Sequence, residues 1–127
     1  TKICNTPEST VNVLNSVLKL EDSPSEKFIV LCLDSKLQVI GLHVVTQGTI
    51  NKSVVSPREV FQRALLNNAQ SIIIAHNHPS GNTNPSSADK RVTDLIKEAG
   101  ELMGIRLIDH IIVGYNSYFS FKEKDFI

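Results

Sequence analysis

Hydrophobic residues recur along the chain in two kinds of pattern, which together predict three helices and five strands. In three segments, residues 7–20, 57–67 and 87–103, apolar side chains return every three or four positions, as on the buried face of an amphipathic helix. Elsewhere the apolar runs are short, continuous and rich in β-branched and aromatic residues, which is typical of strands. These runs are residues 28–33, 37–46, 71–76, 105–113 and 118–121.

The order of these elements is helix, two strands, helix, strand, helix, two strands. Val54 and Val55 are a candidate for one more short strand before the second helix. Because hairpins stand beside strands that alternate with helices, we expect a mixed sheet between helices and not a purely parallel one. The predicted class is α/β, or α+β with a mixed sheet.

Polar residues with capping chemistry precede each predicted helix. Pro7 follows Asn5 and Thr6 at the first start, and Ser56 with Glu59 has the form of a capping box at the second. Ser86 is followed three residues later by Asp89 at the third. The third helix is predicted to be the longest and to end at Gly104, and its apolar face is expected to consist of Val92, Leu95, Ile96, Ala99, Leu102 and Met103.

The balance of charged residues argues against nucleic acid as the main ligand of this chain. Thirteen basic and thirteen acidic residues cancel, whereas a domain that grips DNA by its phosphates usually carries a basic surplus. Direct nucleic acid binding is therefore not expected, with a local patch around Lys90 and Arg91 as the remaining candidate contact.

No apolar run reaches the roughly 18 residues of a membrane span. Cys4 and Cys32 have no Cys-x-x-Cys pairing, which favours reduced thiols and a cytoplasmic location.

The stretch from Ala75 to Asp89 carries the most distinctive chemistry. His76 and His78 are two residues apart at the end of a predicted strand, so both side chains project to the same side. Asp89, at the start of the next helix, would supply a third metal ligand. Two histidines and one carboxylate leave a fourth position free, as in a hydrolytic zinc site. The alternative interpretation is a chance His-x-His pair followed by an ordinary helix start from Ser86 to Asp89.

The spacing of these residues resembles the zinc signature of JAMM (MPN+) metallopeptidases, His-x-His, seven residues, then Ser-x-x-Asp. The longer string His-Asn-His-Pro-Ser-Gly, followed by Pro-Ser-x-x-Asp, is similar to the RadC-like branch of this family, whose members have been called DNA repair proteins. Further agreement lies in residues 57–59, in residues 109–112, and in Tyr118 with Ser120 and Phe121. The resemblance covers residues 28–127.

The resemblance implies a cytidine-deaminase-like JAMM fold, a curved mixed sheet flanked by helices. It implies Zn²⁺ as cofactor, bound by His76, His78 and Asp89, with Ser86 hydrogen-bonded to the metal-bound water or the developing oxyanion. Full-length relatives carry a helix-hairpin-helix segment that is not found in this sequence. We therefore interpret residues 1–127 as a single C-terminal domain, with residues 1–25 forming the first helix and its connection and residues 26–127 the core.

The general base is where the sequence departs from the family pattern. JAMM peptidases use a glutamate on an upstream strand, and we align its position within residues 37–46, which contain no carboxylate. His43 occupies the matching position and has three interpretations: a base, a fourth metal ligand, or a packed strand residue. Glu59 is the other candidate base.

Two functions are compatible with these residues. The first is a zinc metallopeptidase or isopeptidase that acts on a peptide or protein substrate, with zinc-bound water as nucleophile. The alternative is a metal-binding, catalytically weak interaction module of a DNA-repair-associated protein. Asp109 and His110 are expected to be a buried hydrogen-bonded pair, with a role beside the metal ligands as the less favoured interpretation.

Overall fold

A computed structural model describes residues 2–48 and 55–127, and it contains three α-helices and five strands in the predicted order. The helices are α1 (Pro7–Leu18), α2 (Pro57–Leu66) and α3 (Ser87–Met103), with a short 3-10 turn at Leu20–Asp22. The strands are β1 (Lys27–Leu33), β2 (Val39–Gln47), β3 (Ser71–Asn77), β4 (Arg106–Gly114) and β5 (Ser117–Ser120). Within these described ranges, no helix is both long and apolar enough to cross a membrane.

The five strands form one mixed sheet in the order β2-β1-β3-β4-β5. Three neighbouring pairs are antiparallel, while β3 and β4 are parallel and are joined through α3. A parallel pair needs a crossover connection, which α3 supplies. The predicted mixed sheet between helices is confirmed.

The sheet is covered on both faces, which explains why its central strands are apolar throughout. Phe28 and Val30 of β1 pack with Ile96 and the rest of the α2–α3 layer. Ile29 of β1 points the other way and packs with Leu14 of α1. Every residue of β3 is buried, as the continuous apolar run predicted. His76 lies near the carboxyl end of this strand, beside the start of α3.

Three details of the sequence interpretation are wrong or fall outside the described residues. Ser56 directly precedes α2, but its side chain makes no capping hydrogen bond, so the predicted Ser56–Glu59 capping box is absent. Glu59 is exposed, and water can satisfy the first amides of this helix end. Leu102 is 90% exposed, because α3 continues beyond the edge of the core. Val54 lies outside the described residues, and Val55 is buried without belonging to a strand.

Candidate metal centre

Three potential ligand atoms converge where β3 ends and α3 begins. His76 Nε2 lies 3.1 Å from His78 Nε2 and 3.1 Å from Asp89 Oδ1, and His78 Nε2 lies 3.2 Å from Asp89 Oδ2. Among the described residues, these three form a group that could hold a metal ion. His76 and Asp89 are buried, while the His78 side chain is 15% exposed, so the group is open to solvent on one side.

The separations fit a small cation with tetrahedral coordination. Zinc bonds of about 2.0–2.1 Å at tetrahedral angles place neighbouring ligand atoms about 3.3 Å apart. Nitrogen and carboxylate oxygen are also ligand types that zinc accepts. His78 Nδ1 lies 2.7 Å from the carbonyl oxygen of Asn82, which can only accept, so Nδ1 carries a hydrogen and, in the neutral ring, Nε2 offers its lone pair to the centre.

Asp89 is held in place by the start of α3. The predicted capping box is confirmed: the Asp89 amide donates to Ser86 Oγ, and the Ser86 amide donates to Asp89 Oδ2. Burial alone raises the pKa of the Asp89 carboxyl, but the hydrogen bonds that His76 and His78 donate when Nε2 carries a hydrogen outweigh burial and hold that pKa well below its usual range. Asp89 is therefore an anion at neutral pH, as a metal ligand must be.

The contact with Asp89 also acts on His78, the partly exposed histidine of the group. The hydrogen bond to Asp89 raises the pKa of His78, against a smaller opposing effect of burial. Glu26 contributes to this rise through its charge, which brings a second carboxylate into the site.

Glu26 is the functional candidate that the sequence interpretation missed. It directly precedes β1 and lines the same open cleft of about 430 Å³ as His78, Ser80, Ser86 and Asp89. Glu26 thus stands just before β1, whereas the base was expected on the following strand, β2. A signal was present in the sequence, because Glu26 is the carboxylate at the entry to the first apolar strand run.

Asn77, between the two histidines, fixes the backbone on both sides of Glu26. Its Oδ1 accepts from the Lys27 amide at 2.8 Å, and its Nδ2 donates to the Ser25 carbonyl at 3.0 Å and the Ser23 carbonyl at 3.4 Å. Asn77 is 2% exposed. One strand residue therefore connects the histidine pair with the segment that carries Glu26.

Replacement of Asn77 by alanine is expected to lower the free energy of unfolding by about 1–3 kcal/mol, because it removes the partner of the partly buried Lys27 amide and the donor to two carbonyl groups. Urea unfolding of the metal-free protein measures this change. The control Asn12→Ala removes an exposed asparagine of α1 and is expected to change stability by less than about 0.5 kcal/mol. Equal effects of the two substitutions would contradict the role given to Asn77.

The two bases considered from the sequence lie in other surroundings. His43 Nε2 is 2.9 Å from Nδ2 of Asn67, which also donates to the Arg63 carbonyl. An amide nitrogen only donates, so the Nε2 lone pair of His43 is occupied in tying β2 to the end of α2. Burial, together with the Arg63 charge, lowers the pKa of His43. Glu59 points to solvent from the first turn of α2.

Comparison with known proteins identifies the family. The RadC-like JAB domain family matches residues 4–126. The chain is similar to a UPF0758 protein of Methanosarcina barkeri, with 47% identity over 109 residues, or 86% of this chain and 48% of that protein. It is also similar to a UPF0758 protein of Thermotoga maritima, with 43% identity over 117 residues, or 92% of this chain and 53% of that protein.

A third relative, a UPF0758 protein of Chlorobaculum tepidum, is 46% identical over 105 residues, or 83% of this chain and 47% of its own length. The chain thus spans about half the length of these relatives, whose names state no activity. The match over nearly the whole chain agrees with the mixed sheet and with the histidine and aspartate group described above. The chain belongs to the family of RadC-like JAB domains.

Proposed function

We propose that this domain is a zinc-dependent hydrolase of JAMM type that cleaves a peptide or isopeptide bond. The observation that carries the proposal is the convergence of three ligand atoms, from His76, His78 and Asp89, at the side of an open cleft that a further carboxylate lines. Structural zinc sites usually have four protein ligands, whereas three protein ligands in an open site are typical of catalysis.

The three ligand residues would hold Zn²⁺, which when bound polarises a carbonyl group and lowers the pKa of water. The chain itself has to orient the substrate and handle protons. The α3 capping box already places Asp89 for metal binding, and the strand backbone sets the relative positions of the two histidines. The site thus needs little rearrangement of the protein before a reaction.

Glu26 is proposed as the group that takes a proton from the attacking water and returns it to the leaving amine. It lines the cleft beside His78 and Asp89, as a general base must to lie within reach of the reacting atoms. His43 is engaged with Asn67, and Glu59 is exposed on α2. Location in the cleft therefore favours Glu26 over both.

Ser86 is proposed to stabilise the negative charge that develops on the substrate oxygen. Its Oγ accepts a hydrogen bond from the Asp89 amide, which leaves the hydroxyl proton for donation into the cleft. A donor aimed at a developing oxyanion is worth more in the transition state than in the bound substrate. The cap of α3 would thus serve both the helix and the reaction.

Metal analysis and hydrolysis assays test this function together. The purified chain is expected to bind about one zinc per molecule, in line with the one group of three potential ligands found in residues 2–48 and 55–127. It should then cleave members of a peptide and isopeptide library, lose this activity with a chelator and regain it with added zinc. Failure to bind zinc would overturn the site. Zinc binding without cleavage of any library member would overturn hydrolysis and favour a binding module.

A further inference from the structure

A row of buried polar groups runs from His76 away from the cleft and into the core. His76 Nδ1 lies 2.8 Å from His110 Nε2, and His110 Nδ1 lies 2.5 Å from Thr93 Oγ1. Thr93 Oγ1 in turn donates to the backbone carbonyl of Asp89 at 2.9 Å. His76, His110 and Thr93 are each no more than 1% exposed. The row therefore begins at one proposed metal ligand and returns to another.

We propose that Thr93 and His110 act as positioning residues that keep the hydrogen of His76 on Nδ1 and so direct its Nε2 lone pair to the metal. The inference rests on the proposed metal site. It assigns a function to two residues that do not touch the three ligand atoms.

The two ends of the row require the same direction of hydrogen bonding. At the inner end, a carbonyl oxygen can only accept, so Thr93 gives its one hydroxyl proton to Asp89 and offers a lone pair to His110. His110 then donates from Nδ1 and accepts at Nε2. At the outer end, ligation through Nε2 requires that His76 donate from Nδ1. The hydrogen bonds at both ends of the row therefore require the same tautomer, with the ring hydrogen on Nδ1 in both His76 and His110.

Thr93 is needed because the partner of His76 is itself an imidazole. A ligand histidine usually donates to a carboxylate, a carbonyl or water, and the first two of these can only accept. A neutral imidazole can either donate or accept through a given nitrogen, so His110 alone does not fix the proton of His76. The direction has to come from the next group in the row, which is Thr93.

The surroundings of His110 hold its ring in this arrangement. The ring stacks on Phe121, with centroids 4.5 Å apart and an interplanar angle of 12°, and meets Phe28 edge-on at 6.1 Å. The backbone amide of His110 donates to Asp109 Oδ1 at 2.7 Å, and Asp109 also accepts from the Ser120 hydroxyl at 2.6 Å. The aromatic packing and the fixed backbone leave Thr93 and His76 as the partners of the two ring nitrogens.

Paired substitutions at Thr93 test the proposal by zinc affinity, measured in competition with a chromophoric chelator. Thr93→Val keeps the side-chain shape but removes the hydroxyl, and zinc binding is expected to weaken about 10–100-fold, the range typical of groups that orient a ligand. Thr93→Ser keeps the hydroxyl and should bind zinc with an affinity close to that of the parent chain. Equal affinity in the parent and Thr93→Val would overturn the inference and leave the metal site standing.

Nuclear magnetic resonance of the zinc-loaded parent chain tests the same point without any substitution. The ring hydrogens of His76 and His110 are both expected on Nδ1, detected through their one-bond coupling to that nitrogen. A hydrogen on Nε2 of His110 would overturn the inference even if Thr93→Val does not fold. Failure of the parent chain to bind zinc at all would overturn the proposed function and this inference together.

Discussion

Exchange of Asp89 for asparagine is expected to weaken zinc binding by more than about 100-fold, beyond the range seen when only an orienting group is lost. Asp89 supplies the negative charge among the three candidate ligand residues, and its Oδ1 lies 3.1 Å from His76 Nε2. An asparagine oxygen in place of Oδ2 can still accept from the Ser86 amide, so the start of α3 should be retained. The amide nitrogen would then take the place of Oδ1 beside His76 Nε2, where it cannot bind a cation.

The matched control is Asp94→Asn, which removes the same charge from an exposed position on the same helix. Its zinc affinity should equal that of the parent, because exposed charges away from the site are screened by water and salt. Competition titration measures both variants, and circular dichroism checks that α3 remains folded. Similar zinc affinity in Asp89→Asn and the parent would remove Asp89 from the ligand set.

Exchange of Glu26 for glutamine is expected to reduce kcat for the proposed hydrolysis about 10²–10⁴-fold, the contribution of a positioned general base. Zinc affinity should change little, because Glu26 lines the cleft without belonging to the ligand group. Glutamine keeps the size of the side chain and its hydrogen-bonding ability but cannot take up a proton. Steady-state rates on a cleaved library peptide, with zinc content determined in parallel, separate the two effects.

Two further variants distinguish Glu26 from the bases suggested by the sequence. Glu59→Gln alters an exposed residue of α2 and should leave the rate unchanged. His43→Gln should act mainly on stability, because His43 binds Asn67 at the end of α2. A large loss of kcat in His43→Gln, with Glu26→Gln close to the parent, would identify His43 as the base and refute the role proposed for Glu26.

Local geometry explains why the three candidate ligand residues could be grouped from the sequence. The alternation of a strand places His76 and His78 on one side, and the capping box places Asp89 at a helix start. Each of these rules acts over only a few residues. The mixed sheet followed from the order of apolar runs for a similar reason, since hairpins and a helical crossover leave few ways to pair the strands.

Contacts between distant parts of the chain were beyond such rules. Glu26 lies in the cleft because Asn77 binds the backbone on both sides of it. The hydrogen bond from the Lys27 amide to Asn77 joins residues that are 50 positions apart in the sequence. His110 reaches His76 across 34 positions, through the pairing of two parallel strands. The predicted capping box at Ser56 failed for a different reason. Its sequence motif is local, but water can satisfy the first amides of an exposed helix end, so the Ser56 side chain is not needed as a cap.

The connection between β3 and α3 would give a bound zinc ion a mechanical role in addition to the chemical one proposed for it. His78 lies at one end of this connection and Asp89 lies just inside the helix at the other. An ion shared by both would act as a reversible cross-link across residues 79–88, and closing a loop in this way removes conformational freedom from the chain. Local opening of the rim of the cleft would therefore depend on zinc, while the sheet beneath, stabilised by its two apolar layers, would keep its protection from hydrogen exchange in either state.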